Sequence, residues 1–216
     1  MSSSQLYMYF DSETGGLNEN KADLLTWYGC IVDEEYKILE ELDLKLKPND
    51  GRIPIAEAGA LKVNKIIIAD HMANPDTISY AEGQKKLVGM IKSHLKKNGR
   101  FSNISPAGYN VPFDIRWTQK HLLDQETWES LLHYKINDVM QNVDFLKKCG
   151  WVPKTLGSLT TVVDYFNVPA RGAHNAKEDT LMTIDVEKKI LELMKSKKDG
   201  GNTDLGQNLI SLLEAE

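Results

Sequence analysis

Short apolar runs, separated by acidic, glycine-rich or proline-containing breaks, set the pattern of this chain. Leu6-Tyr7-Met8-Tyr9-Phe10 is aromatic and uninterrupted and ends at an acidic, glycine-rich turn, which predicts a buried strand. Residues 24–32 and 36–46 predict two further strands around the turn Asp33-Glu34-Glu35. In the second of these, Leu42, Leu44 and Leu46 alternate with Asp43 and Lys45, the period of a half-buried strand. The three together predict an antiparallel meander. Over residues 76–97 the period becomes helical: Asp76 or Thr77 would cap the helix, Ile78, Ala81, Val88, Ile91 and Leu95 form its apolar stripe, and Asn98-Gly99 ends it. Residues 105–110 predict a short strand, and Pro112 suits the first turn of a following helix. Residues 131–148 and 156–166 predict helices separated by Gly150 and Pro153. Residues 175–195 predict a long helix carrying Leu181, Ile184, Ile190 and Met194. Strands first, then strands alternating with helices, predict a layered α/β domain over residues 1–197. Its mixed central sheet would open with three antiparallel strands and be flanked by helices. Residues 198–216 would then be a linker and a short apolar tail.

Composition narrows the function classes. The chain has 216 residues, 31 acidic and 26 basic, for a formal charge of −5. With 41% hydrophobic and 26% charged residues it has enough apolar material for one sizeable core and does not resemble a disordered chain. The run Ile66-Ile67-Ile68-Ala69 is far short of the ~18 residues of a membrane span. Met1-Ser2-Ser3-Ser4-Gln5 lacks the basic and apolar segments of a signal peptide, so the cytoplasm is the expected compartment. Cys30 and Cys149 form no CxxC pair. His71, His94, His121, His133 and His174 show no HExxH spacing, and no P-loop or dinucleotide fingerprint is present. A mildly acidic chain coats nucleic acid poorly, yet it can act on phosphates through metal ions bound to its carboxylates.

Three segments carry candidate chemistry. In Asp11-Ser12-Glu13-Thr14-Gly15-Gly16-Leu17, residues i and i+2 of a strand share a face, so Asp11 and Glu13 place two carboxylates together at the strand's end. Their repulsion is relieved by protonation or by a cation, and oxygen-only ligands suit Mg²⁺ or Mn²⁺ rather than zinc. The following Thr14, Gly15 and Gly16 can bring backbone N–H groups close to a substrate. A solvated turn is the other reading, since Asp-x-Glu arises readily among 31 acids. In Gly108-Tyr109-Asn110-Val111-Pro112-Phe113-Asp114, the helix dipole alone would account for Asp114 in a first turn. In His174-Asn175-Ala176-Lys177-Glu178-Asp179, a spacing of five puts two side chains about 140° apart on a helix. The pair can serve one site only if His174 lies in the preceding loop Arg171-Gly172-Ala173. A surface histidine is the alternative.

The order and spacing of the three segments resemble the DEDDh, or DnaQ-like, family of 3′-to-5′ exonucleases. The family's Asp-x-Glu-Thr-[Gly/Thr]-Gly-Leu is similar to residues 11–17, its Asn-x3-Asp to Asn110–Asp114, and its His-x4-Asp to His174–Asp179. Lys177 and Glu178 depart from the hydrophobic residues common there, and the stretch between Leu46 and Pro106 carries little of the pattern. The resemblance implies an RNase H-like three-layer fold and two divalent cations, Mg²⁺ or Mn²⁺, balancing the four charges of Asp11, Glu13, Asp114 and Asp179. Asp11 would bridge both ions, Glu13 and Asp179 would complete one site, and Asp114 would support the other, directly or through water. His174 would be the general base, Leu17 an apolar wedge beside the terminal base, and Asn110 a contact to the terminal nucleotide. Thr14, Gly15 and Gly16 would line the substrate, with Asn64 in the segment 63–66 where relatives touch the 3′ end. The implied activity is release of nucleoside 5′-monophosphates from single-stranded 3′ ends, DNA before RNA. An exoribonuclease or oligonucleotide nuclease on the same fold is the alternative. A noncatalytic module is disfavoured because all five catalytic positions hold the expected residue type.

Two further features bear on partners. Lys85, Lys86, Lys92, Lys96, Lys97 and Arg100 form a basic stretch without acids, either a phosphate-tracking face or a solvated one. Trp27, Trp117, Trp128 and Trp151 could stack on bases or fill the core. The tail Gln207-Asn208-Leu209-Ile210-Ser211-Leu212-Leu213-Glu214-Ala215-Glu216 resembles the short peptides that bind bacterial sliding clamps, without their aromatic residue. It reads either as a docking peptide for a clamp or polymerase, or as a terminal helix packed on its own domain.

Overall fold

The computed structural model describes residues 5–98, 101–172 and 175–200. Strands β1 (Leu6–Thr14), β2 (Leu24–Val32) and β3 (Ile38–Lys47) form the expected antiparallel meander, with Asp11 opposite Tyr28 and Glu13 opposite Thr26. Helices α1 (Ala58–Asn64) and α2 (Ile68–Ala73), strand β4 (Thr77–Ser79) and helix α3 (Tyr80–His94) follow. A two-stranded ribbon of β5 (Lys97–Asn98) and β6 (Phe101–Ser102) leads into β7 (Ile104–Gly108), α4 (Val111–His121) and α5 (Gln125–Leu131). Strand β8 (Asn137–Asp138), then α6 (Val139–Lys148), α7 (Leu159–Tyr165) and α8 (Ala176–Gly200) complete the described chain. The main sheet runs β4-β3-β2-β1-β7-β8, antiparallel within the meander and parallel at its other pairings. Among the described residues, no helix is long and apolar enough to cross a membrane.

Strand alternation builds the two outer layers. Leu6, Met8 and Phe10 pack on one face with Leu87, Ile91, Trp117 and Trp128, from α3, α4 and α5. Tyr9 packs on the opposite face with Val143, Val162, Ile184 and Ile190, from α6, α7 and α8. Trp27, Trp117 and Trp128 are therefore core: the Trp27 ring stacks on Phe10 at 5.7 Å and its indole N–H donates to Thr118 at 3.1 Å. Trp151 is half-buried against the other layer.

Several boundaries differ from the sequence pattern, each for a local reason. Tyr36 sits at φ +62° and its N–H returns to the Asp33 carbonyl, so β3 begins only at Ile38. The segment 76–97 is not one helix. Residues 77–79 pair in parallel with Lys45–Lys47, and the helix starts where Ser79 and Glu82 form a reciprocal capping box. Its buried stripe is Tyr80, Gly83, Leu87, Met90 and Ile91, and it ends at His94 rather than at Asn98. The expected helix 131–148 begins only at Val139, because residues 132–136 are loop and 137–138 form β8, and α5 precedes the expected range. Asp124 caps α5, which ends at Leu131, and Asp138 caps α6. Helix α7 starts at Leu159 behind its Ser158 cap. Helices α1 and α2 lie where the sequence carries no clear period. Helix α8 runs to Gly200, and the tail Gln207–Glu216 lies outside the described residues.

Candidate active site

Strand β1 carries its order straight into the acidic motif, so Asp11 and Glu13 continue the face of Tyr9 and look toward α8, while Ser12 looks toward α4. Helix α8 opens behind Asn175, whose side-chain oxygen accepts the Lys177 N–H at 3.0 Å, and Asp179 falls in its first turn. Carboxylate oxygens of Asp11, Glu13 and Asp179 lie within 4.8 Å of one another. Ligands ~2.1 Å from a shared Mg²⁺ are at most ~4.2 Å apart, so a small side-chain adjustment closes this set around an ion. Asp114, buried in the first turn of α4, stands beside the group rather than in it. It accepts the Ser12 hydroxyl at 2.5 Å.

No cation of the described residues forms an ion pair with Asp11, Glu13 or Asp114. Burial, then repulsion from Asp114, Glu13 and Asp179, holds the Asp11 carboxyl well above the usual carboxylate range. Burial and the charges of Asp179 and Asp114 push Glu13 up to about 8. Burial raises Asp114 as well, against the opposing Ser12 hydrogen bond. An all-carboxylate set whose own charge is unfavourable fits a divalent cation.

A stability trend follows. Glu13 titrates near 4.5 when unfolded and about 8 when folded, so between these values the folded chain holds a proton that the unfolded chain has released. The penalty is absent below the lower value and complete above the upper one. In EDTA, Tm should fall as pH rises from about 5 to about 8, and saturating Mn²⁺ should flatten or reverse the fall. A thermal-shift series across that range checks it, and an EDTA curve flat with pH would refute this electrostatic account.

Two clefts flank Glu13. One, of about 380 Å³, runs past Ser12, Glu13, Thr14, Gly16 and Leu17 to Val63, Asn64 and Phe113. Leu17 stands 82% exposed at its rim. The other, of about 370 Å³, is polar and includes Lys45, Lys65, His71 and Lys177. Asn64 lines both. Its amide donates to the Thr14 carbonyl at 3.2 Å and its oxygen accepts the Ile66 N–H at 3.0 Å. The intervening Lys65 takes a left-handed conformation that ends α1. The exposed lysines of α3, Lys85, Lys86 and Lys92, line neither cleft, which suits a solvated face.

Gly15 has a packing role. Its N–H donates to the Asp23 carbonyl, its carbonyl accepts the Glu57 N–H, and a Cβ would lie 2.4 Å from the Ile55 carbonyl oxygen. Asp23 and Arg52, paired at 2.6 Å, fix the same loop. Gly15→Ala should therefore lower stability by about 1–3 kcal/mol, read by denaturant unfolding, because backbone rather than a flexible side chain must move.

The fold has counterparts among solved structures. No family model matches the chain, and no curated protein matches it by sequence. The zinc-bound complex of Escherichia coli exonuclease I with single-stranded DNA superposes with a TM-score of 0.68 at 17% identity, over 96% of this chain and 43% of that one. The same enzyme with a dT13 oligonucleotide gives 0.67 at 18%, over 90% and 43%. The moderately thermophilic exonuclease I of Methylocaldum szegediense gives 0.67 at 18%, over 87% and 40%. The chain shares the exonuclease I fold. It spans less than half the length of these proteins.

On that fold, the structure brings together Asp11, Glu13 and Asp179, with Asp114 alongside and Thr14, Gly16, Leu17 and Asn64 along one cleft wall. Asn110 caps α4 in a left-handed conformation, is exposed and lines neither cleft. His174 lies outside the described residues. Val63 belongs to the expected segment 63–66 and Phe113 to the motif Asn110–Asp114, whereas Ser12 carries no expected role in the sequence. Ser12 could have been found from alternation, as the residue between two acids that must face the opposite layer.

Proposed function

We propose that this chain is a metal-dependent 3′-to-5′ exonuclease that releases nucleoside 5′-monophosphates from single-stranded ends, DNA before RNA. The observation that carries the reading is the convergence of Asp11 and Glu13 from β1 with Asp179 from α8 beside an open cleft. Asp11, Glu13 and Asp179 hold one divalent cation, Mg²⁺ or Mn²⁺. Asp114, oriented by Ser12, supports a second next to Asp11. Bound cations of this kind polarise an attacking water and neutralise the leaving oxygen in an in-line displacement. His174, before α8, takes the proton from that water. Leu17, Val63 and Phe113 offer an apolar wall for the terminal base, with Asn64 at the junction of the two clefts. The complexes of exonuclease I with single-stranded DNA support this reading. The tail 207–216 is either a docking peptide for a sliding clamp or polymerase, which would raise the effective concentration at DNA ends, or a terminal segment packed on its own domain.

The test is digestion of end-labelled single-stranded DNA and RNA of equal sequence with Mg²⁺, Mn²⁺ or EDTA. Mononucleotides should appear from the 3′ end with either cation, faster from DNA, and not in EDTA. Digestion that persists in EDTA, or begins at the 5′ end, overturns the reading. RNA cleaved faster than DNA makes the enzyme an exoribonuclease.

A further inference from the structure

Below the acids, β1 and α8 are joined by a second polar contact that the proposed chemistry does not use. Tyr9 shares its strand face with Asp11 and Glu13, and Glu187 lies about two turns along α8 from Asp179. The Tyr9 hydroxyl donates to Glu187 Oε2. Asn137, at the start of β8, donates its amide to both Glu187 oxygens at 2.8 and 3.0 Å and to the Tyr9 hydroxyl oxygen at 3.2 Å. Asn142 donates to the Asn137 side-chain oxygen at 3.2 Å and orients that amide. Tyr9 is fully buried and Glu187 is 7% exposed, between a layer that includes Val143, Val186 and Ile190 and a polar cleft that Glu187 and Asn137 line with Tyr7, Tyr36 and Lys135.

A carboxyl group in such a layer lowers stability unless its oxygens are satisfied, and an aliphatic residue would pack there at least as well. Directed bonds do what aliphatic contacts do not. A slide of α8 by one residue, ~1.5 Å, breaks these hydrogen bonds, whereas methyl groups repack. Thr183, one turn nearer the acids, spends its hydroxyl on the Asp179 carbonyl and does not cross to β1. Repulsion among Asp11, Glu13 and Asp179 meanwhile drives the same two elements apart.

We propose that Tyr9, Asn137 and Glu187 are positioning residues, a clamp that holds α8 at the register where Asp179 meets Asp11 and Glu13 and so sets the affinity of that site for its divalent cation. The inference rests on the metal reading above.

The test titrates Mn²⁺ into the full chain, reads free ion by electron paramagnetic resonance, and records Tm on the same samples. Glu187→Met fills the volume without acceptors. It should keep Tm near or above the parent value yet weaken Mn²⁺ binding about tenfold or more. Glu187→Gln keeps an acceptor for Tyr9 and should recover most of the affinity. Tyr9→Phe, the mildest change, should weaken binding severalfold, and saturating Mn²⁺ should restore digestion in each variant. A merely structural role would lower Tm and leave the affinity of the folded protein unchanged. Parent-like Mn²⁺ affinity in Glu187→Met overturns the clamp; if that variant does not fold, parent-like affinity in Tyr9→Phe overturns it. The controls separate the two readings. A parent protein that takes up no Mn²⁺, or an Asp11→Ala variant that binds it equally, defeats the metal reading and the clamp together. Binding that Asp11 controls but Glu187 and Tyr9 do not defeats the clamp alone.

Discussion

Asp11→Ala should lower kcat by about 10³-fold or more and abolish tight Mn²⁺ binding, while the metal-free protein becomes more stable. The first effect follows from the position of Asp11. Its carboxyl is repelled by Asp114, Glu13 and Asp179, so it lies next to every other acid of the site and would be a ligand of any cation held there. Losing such a ligand would forfeit several kcal/mol of charge stabilisation, and ~1.4 kcal/mol is a factor of ten. The second effect has the opposite sign because without metal the desolvation of Asp11 and its repulsion by three acids outweigh the backbone hydrogen bond its carboxylate accepts from Ser12. Each kcal/mol relieved should raise Tm by about 2–4 °C in a chain of this size. The measurement pairs mononucleotide release with melting in EDTA. Opposite signs for activity and stability distinguish a lost metal ligand from a lost fold. Near-normal digestion by Asp11→Ala would sink the metal assignment.

His174→Ala should leave Mn²⁺ affinity within about threefold and cut the rate on the order of 10²–10⁴-fold. Asp179 sits in the first turn of α8, and His174 precedes that helix in the chain. His71, which lines the polar cleft, has its Nε2 engaged with the Leu46 carbonyl at 2.8 Å. His94 pairs with Glu40, and His121 is stacked on Trp117 in the core. The parent rate should rise with pH through the imidazole range, near ~6.5, and this limb should vanish in the variant. His71→Ala should retain the limb. Loss of metal binding in His174→Ala as complete as in Asp179→Ala would make His174 a ligand instead.

By itself, the sequence determined the parts of the molecule that depend on local period and on motif order. The meander is legible because Leu42, Leu44 and Leu46 alternate with charged residues, and alternation has one structural meaning in a half-buried strand. Asp11 and Glu13 share a face for the same reason. That Asp179 belongs with them is legible only through the spacing of three separated segments.

Other features depend on distant partners. Residues 77–79 become a strand because Lys45–Lys47 offer an open edge, which the local pattern of 76–97 does not reveal. Residues 132–138 form a loop and strand β8 where a helix is expected from Leu131, because Asp138 both caps α6 and accepts the N–H of Asn110 at the cap of α4. Gly15, which reads as a residue that frees N–H groups for a substrate, has its N–H committed to Asp23, a contact set by the loop 52–57. The tertiary structure alone decided the distances. It places Asp179 within reach of Asp11 and Glu13, sets Asp114 to one side on Ser12, and buries Glu187 against Tyr9 across 178 residues of chain. A residue pattern specifies which face a side chain occupies, but the separation of two faces is fixed by how the layers between them pack.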